Sequence, residues 1–210
     1  MAITFPRAMP SRGINLQRFE LKRSDHLSPV LSGAVGAVTA GWPLWEAEWS
    51  WAEMDEDRSA EWRAWITSLR GPQRLFYGCD QMRRVPRAYR KTGLPVGFSG
   101  NASSWSVNTA RDVVTLNGLP AGFKLQPDDY IGFEWGGTKC TKVKVLEAGT
   151  GTSISVTVEP AVPNIVPASA VARVKDPRCL MRLTPETALD AIGVTRSLPG
   201  TLRAIQSLIP

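Results

Sequence analysis

The side chains best suited to catalysis or metal binding are few in this chain and lie far apart. The histidine is His26, and the three cysteines are Cys79, Cys140 and Cys179. A nucleophile that needs a histidine base would have to use His26, yet no GxSxG turn accompanies it, and no CxxC pair has zinc-site spacing. We therefore expect a solvated loop histidine and three reduced, mostly buried thiols.

Phosphate-binding loops and carboxylate pairs give equally little support for an enzyme. The sequence contains neither GxGxxG nor GxxxxGK[ST]. Asp128 and Asp129 are adjacent, but they follow Gln126-Pro127 at the entrance of an expected strand, where turn chemistry explains them. We predict a protein that is not an enzyme and uses no cofactor or metal. Dispersed carboxylates, as in a glycoside hydrolase, are the weakest alternative.

A basic segment is the main candidate for contact with a charged partner. The chain has a net charge of +6, and its residues 83–91 hold five cations, namely Arg83, Arg84, Arg87, Arg90 and Lys91. Such a cluster can meet nucleic acid phosphates or another anionic surface. It is also typical of a solvated loop, or of a loop that forms salt bridges with a neighbouring subunit. We favour the latter two interpretations and expect nucleic acid to be an unfavoured partner.

The elements that would position these residues begin with a tryptophan-rich strand. Across residues 45–51 apolar and polar side chains alternate, which places Trp45, Trp49 and Trp51 on one face and Glu46 and Glu48 on the other. This period of two predicts a half-buried antiparallel strand. Its indoles suit a sheet core or a subunit interface.

A helix is predicted directly after this strand. Asp55 or Asp57 can cap its first turn, and Gly71-Pro72 ends it. Its apolar stripe, with the spacing of one helix face, consists of Trp62, Trp65, Ile66 and Leu69. We expect this stripe to pack on the tryptophan sheet.

From about residue 98 to residue 174 the chain is rich in Thr, Val, Gly and Ser and poor in charge. Alternating segments at short spacing predict a small barrel or sandwich. Gly136-Gly137 predicts a two-residue hairpin turn. In the strand after it, the pattern places Val143 and Val145 in the core and Lys142 and Lys144 on the polar face.

The fold class that follows is mainly β with one α-helix (α+β). We predict a β-sandwich-like core that carries an inserted small β-barrel and has extended terminal arms. The predicted division is 1–97 for the first part of the core, 98–175 for the insert and 176–210 for strands that complete the core. No 18-residue apolar run predicts a membrane span, and the first residues lack the apolar stretch of a signal peptide.

This order of elements resembles the distal tail type of minor tail proteins of long-tailed phages. The helix of that group has the form W-x-x-x-[IL]-x-x-L-x-G and precedes an F-x-x-x-D stretch. A later L-x-x-G-D-x-[IL]-x-[IFL]-G segment opens the inserted barrel; here it is Leu125–Phe133, with Asp128 where glycine is usual. The likeness covers roughly residues 42–175. The helix motif and the stretch after it are matched by Trp62, Ile66, Leu69, Gly71, Phe76 and Asp80.

The resemblance implies a structural role without catalytic residues. Such proteins form a ring at the end of the tail tube and join it to tip or baseplate proteins. The protein would then be made in the bacterial host cytoplasm and reside in the virion tail tip, with copies of itself and other tail proteins as partners. The insert would face outward and could touch host-surface glycans.

Two further expectations concern contacts. Because the segment 83–91 is basic and Glu46 and Glu48 are acidic, we expect these groups to pair between subunits of the ring. The alternative function is a small β-barrel module that binds single-stranded nucleic acid or carbohydrate.

Overall fold

The structure is a computed structural model that describes residues 3–29, 35–51, 53–185, 187 and 200–208. Within these residues the protein is mainly β with one α-helix, α1 (Glu56–Leu69), which confirms the predicted class. The strands are β1 (Arg7–Ala8), β2 (Ile14–Lys22), β3 (Asp25–Pro29), β4 (Val35–Thr39), β5 (Leu44–Trp51), β6 (Phe76–Cys79), β7 (Ser104–Val107), β8 (Val113–Asn117), β9 (Lys124–Leu125), β10 (Tyr130–Trp135), β11 (Lys139–Val145), β12 (Gly149–Thr150), β13 (Ser153–Glu159), β14 (Val171–Arg173), β15 (Arg178–Leu183) and β16 (Gly200–Gln206).

The first sheet has the strand order β1-β6-β15-β16-β5-β2. Its pairings are antiparallel except for the parallel contact of β1 with β6. The described parts of the terminal segments, which we expected as extended arms, supply β1 to one edge of this sheet and β15 and β16 to its interior. Their carbonyl and amide groups are satisfied by the ladder, which explains why they lie against the core.

Helix α1 covers one end of the first sheet. The side chain of Asp55 caps it by accepting a hydrogen bond from the Arg58 amide at 2.9 Å, as predicted. The helix ends at Leu69, and Arg70, before the expected glycine, takes the left-handed conformation (φ 53°). The apolar stripe faces the sheet, where Trp62 stacks on Trp51 with ring centroids 5.1 Å apart.

The second sheet has the order β14-β10-β11-β13-β8-β7 and is antiparallel throughout. It does not close into a barrel, because its edge strands β14 and β7 are not paired with each other. The edges are linked by an isolated bridge between Asn101 and Arg173, ahead of β7. The β10–β11 turn contains three residues, 136–138, rather than two, since Trp135 pairs with Lys139.

Direct polar and aromatic contacts join the two sheets. The indole of Trp45 donates to the carbonyl of Lys142 at 2.8 Å and meets the ring of Tyr130 edge-on at 5.6 Å. Gln206 accepts from the Trp45 amide at 3.1 Å and donates to the Thr141 hydroxyl at 2.8 Å. The Trp45 end of β5 is therefore fixed to β10 and β11, whereas its Trp51 end is covered by α1.

Candidate assembly surfaces

A two-stranded ribbon, defined as β3 and β4, projects from the first sheet. Strands β2 and β5 pair up to Lys22 and Leu44, and the chain then continues as β3 and β4, which pair with each other alone among the described residues. The amide of Ala40 donates to the Ser24 carbonyl at 2.7 Å and continues the ladder at the ribbon base. Five paired positions extend the ribbon by roughly 15 Å at about 3.3 Å per residue.

Large apolar side chains of the ribbon are exposed to solvent. Leu27, Val35 and Val38 expose 70%, 60% and 68% of their surface. The register puts Leu27 opposite Ala37, on the face that also carries Val35, whereas Val38 lies opposite His26 on the other face. An isolated two-stranded hairpin is marginally stable in water, so these faces are suited to being covered by a partner.

A groove of about 500 Å³ opens at the ribbon base. Trp42 lines it with 42% of its surface exposed, next to a salt bridge of 2.6 Å between Arg23 and Glu159. Exposed tryptophan is characteristic of protein–protein contacts. The groove thus extends the ribbon's uncovered surface toward β13.

The five tryptophans singled out in the sequence are all buried in the core beneath α1 and the second sheet. The indoles of Trp62 and Trp65 donate to the carbonyls of Arg12 and Ala8 at 2.9 and 2.7 Å, so they fasten the N-terminal segment. Trp45, Trp49 and Trp51 lie on the inner face of β5, as their period predicted. In this chain they form its own core rather than an exposed surface.

The first two arginines of the basic segment form salt bridges within the chain. Arg83 pairs with Asp128 and lies 3.8 Å from Asp80, and Arg84 pairs with Asp176 at 2.5 Å. Buried Asp80 also accepts the Arg83 amide at 2.9 Å. These two cations therefore hold the segment against Asp128 and Asp176, which come much later in the sequence, and against Asp80 just before it.

The remaining cations of the segment are exposed. Arg87, Arg90 and Lys91 form no salt bridge within the described part of the chain. Their backbone is nevertheless fixed, because the Arg87 amide donates to Asp129 at 2.7 Å and the ring of Tyr89 stacks on Phe123 at 4.9 Å. Burial raises the pKa of Asp129. The segment thus presents three unneutralised charges from a well-anchored backbone.

Glu46 and Glu48 lie on the outer face of β5, as predicted, but they have partners within the chain. Lys22 approaches Glu46 at 3.4 Å, and Arg203 contacts Glu48 at 3.0 Å. The structure does not bring either glutamate to the basic segment of the same chain. Their pairing with that segment of a neighbouring subunit remains a prediction.

Sequence reasoning missed the most unusual charged group, Lys142. We predicted it on the polar face of β11, but it is fully buried because that face packs against the first sheet. Its ammonium lies 3.3, 4.0 and 5.2 Å from the ring centroids of Phe19, Tyr130 and Trp45 and has no hydrogen-bond partner among the residues that the structure describes. Burial lowers the pKa of Lys142 to about 8. These rings replace part of its hydration through cation–π attraction.

The candidate nucleophiles and ligands do not converge. His26 is exposed in strand β3 rather than in a loop, so that prediction of its local structure was wrong. The cysteines are free, Cys140 and Cys179 are buried, and burial raises the pKa of Cys179 to about 12. Thiols in this state are poor nucleophiles. Among the described residues, no group of three or more His, Cys, Asp or Glu side chains could hold a metal ion.

Comparisons with known proteins do not place this chain in a family. No protein-family model matches the sequence, and no curated protein matches it. None of the helices in the described part of the chain has the length and apolar character that a membrane span requires.

Proposed function

We propose that this protein is a structural component that assembles with copies of itself into the ring at the distal end of a phage tail, where it connects the tail tube to tip or baseplate proteins. The observation that carries the proposal is the projecting ribbon, whose apolar side chains the described chain leaves uncovered. The likeness in element order to distal tail proteins supports a location in the tail tip of a virion, after synthesis in the host cytoplasm.

The ribbon supports assembly for an energetic reason. Burial of apolar surface stabilises a protein by roughly 25 cal/mol per Å². The ribbon residues Leu27, Val35 and Val38 remain exposed in a single copy, so this stabilisation becomes available only when a partner covers them. A ring is built from two different patches that meet between successive copies. An arm that leaves its own sheet by five residue pairs can reach a neighbour and supply one of these patches.

The alternative, a module for single-stranded nucleic acid or carbohydrate, has less support. Such a module stacks bases or sugars on exposed aromatic rings beside cations. Phe133 of the second sheet and Phe123, which packs in the same core, are fully buried, and Tyr89, next to the cations, is stacked on Phe123. An enzyme has less support still, since two of the three thiols are buried, the third is partly buried, and His26 is exposed on the ribbon.

Sedimentation velocity and negative-stain electron microscopy of the full chain test the proposal. We expect a concentration-dependent oligomer that appears as closed rings. Leu27→Glu combined with Val35→Glu should shift it to monomer, because the charges would enter the covered face of the ribbon. Val96→Glu is the matched control, as Val96 is fully exposed outside the ribbon. A monomeric wild-type chain at its highest soluble concentration, or normal assembly of the ribbon variant, would refute the proposal.

A further inference from the structure

A second surface of this protein carries uncompensated charge at the start of α1. Glu56, Asp57 and Glu61, named here the acidic patch, are exposed and form no salt bridge within the described ranges. Asp57 and Glu61 are one helical turn apart, on the side of α1 away from its buried stripe. The first two also complement the helix dipole, but Glu61 lies beyond the first turn, where that effect has faded.

The basic patch is its counterpart in charge. It consists of Arg87, Arg90 and Lys91 together with exposed Lys124, whose amide donates to the Tyr89 hydroxyl at 2.9 Å. The Tyr89–Phe123 stack brings Lys124 beside the other three. The backbone that carries these four side chains is held by the hydrogen bonds of the Arg87 and Lys124 amides. Binding through them therefore costs little backbone conformational entropy.

The two patches lie at opposite ends of strand β5. The acidic patch follows Trp51 by only a few residues, and α1 packs on Trp51 through Trp62. The basic patch is tied to Asp129, whose neighbour Tyr130 packs on Trp45. These two tryptophans are six positions apart along β5, which is about 20 Å. A copy can therefore offer one patch to the copy before it and the other to the copy after it.

We propose that the basic patch of one copy docks on the acidic patch of the next copy, as a head-to-tail contact of the ring. This contact would replace the predicted pairing with Glu46 and Glu48, since Lys22 and Arg203 already form salt bridges with those glutamates. The inference rests on the proposed function and names the charges that set the order of copies within it. Complementary unlike charges fit a heterologous interface, in which different surfaces of identical chains meet. Nucleic acid is the weaker occupant, because the ring of Tyr89 beside the basic patch is stacked on Phe123, so one of its faces is already occupied within the chain.

Charge reversal and charge exchange test this contact by sedimentation. Reversal of the basic patch (Arg87→Glu, Arg90→Glu, Lys91→Glu) should weaken assembly at least about tenfold, and so should reversal of the acidic patch (Glu56→Lys, Asp57→Lys, Glu61→Lys). A chain with both reversals should regain assembly, since its patches are again complementary. That recovery also separates a broken contact from a misfolded chain. Lys139→Glu, an exposed lysine outside both patches, should leave assembly unchanged.

Each outcome decides between the two proposals. Assembly that ignores both reversals overturns the docking contact and leaves the ring proposal standing. Loss in each reversal without recovery in the double reversal also overturns the contact. A basic-patch variant that assembles normally but no longer binds a single-stranded oligonucleotide assigns the patch to nucleic acid instead. A wild-type chain that never assembles refutes the proposed function itself.

Discussion

Replacement of Lys142 by methionine should stabilise the protein at neutral pH. The pKa of Lys142 falls from 10.5 to about 8 because its ammonium is fully buried, with no hydrogen-bond partner in the described part of the chain. At about 1.4 kcal/mol per pKa unit, that shift corresponds to roughly 3 kcal/mol of destabilisation at pH 7. The Phe19, Tyr130 and Trp45 rings offset about 2 kcal/mol of this cost. We expect Lys142→Met to raise the free energy of unfolding by about 1–3 kcal/mol, since methionine keeps the side-chain length.

The pH dependence of this difference gives the sharper test. Below pH 8 the lysine is charged in both the folded and the unfolded protein, so the full cost is present. Between pH 8 and 10.5 the folded protein releases its proton before the unfolded chain does, and the wild-type stability rises relative to that of the variant. The advantage of Lys142→Met should therefore shrink across this window.

Urea unfolding followed by tryptophan fluorescence from pH 7 to pH 11 measures both effects. Lys144→Met is the matched control: it removes a lysine from the same strand, but one that is partly exposed and paired with Asp128 at 2.9 Å. We expect no stabilisation from this control. The reasoning would be refuted by a Lys142→Met protein that is less stable than wild type at pH 7, or by a stability difference between the two proteins that does not change with pH. Either result would mean that the three aromatic rings stabilise the buried ammonium overall.

Three further predictions concern the elements around these surfaces. Asp55→Ala should lower the free energy of unfolding by about 1 kcal/mol, because the Arg58 amide loses its cap; urea midpoints measure this, and an unchanged midpoint would contradict it. Gly200→Ala should cost about 1–3 kcal/mol in thermal or urea unfolding, because its Cβ would lie 2.6 Å from the Trp51 ring; a neutral effect would show that the ring can move. Burial raises the pKa of Asp128, but contacts with Lys144 and Arg83 outweigh this and lower the pKa overall. The stability that Asp128 contributes is therefore present above pH 3.8 and lost as the pH falls through its folded pKa. Asp128→Asn should flatten the decrease of unfolding free energy at acid pH, and an unchanged decrease would contradict this.

The sequence was sufficient for elements whose pattern repeats over several turns or residue pairs. The tryptophan strand and α1 were predicted because alternation in β5 and the Trp62–Leu69 stripe each reflect burial on one side. Lys142 was misplaced because β11 is buried on both faces, a condition in which alternation no longer separates core from solvent. Apart from Asp80, the partners of Arg83 and Arg84 could not be predicted, since Asp128 and Asp176 are distant in sequence.

The surfaces proposed for assembly were only partly visible in the sequence. The basic segment was evident from composition, but which of its cations are free was decided by tertiary contacts. The ribbon was harder to recognise, because the small apolar residues around Val35 and Val38 suit either a strand or a loop. Whether such a hairpin packs on the sheet or leaves it depends on where β2 and β5 stop pairing with their neighbours.

The chain leaves the first sheet at Cys79 and re-enters it at Arg178, and these two residues are direct partners across β6 and β15. The two ends of the intervening stretch are thus side by side. A stretch of different length could take its place without changing the strand register of the first sheet. Such a replacement would still have to bury Phe19 and Trp45, which Tyr130 and Lys142 cover in this protein.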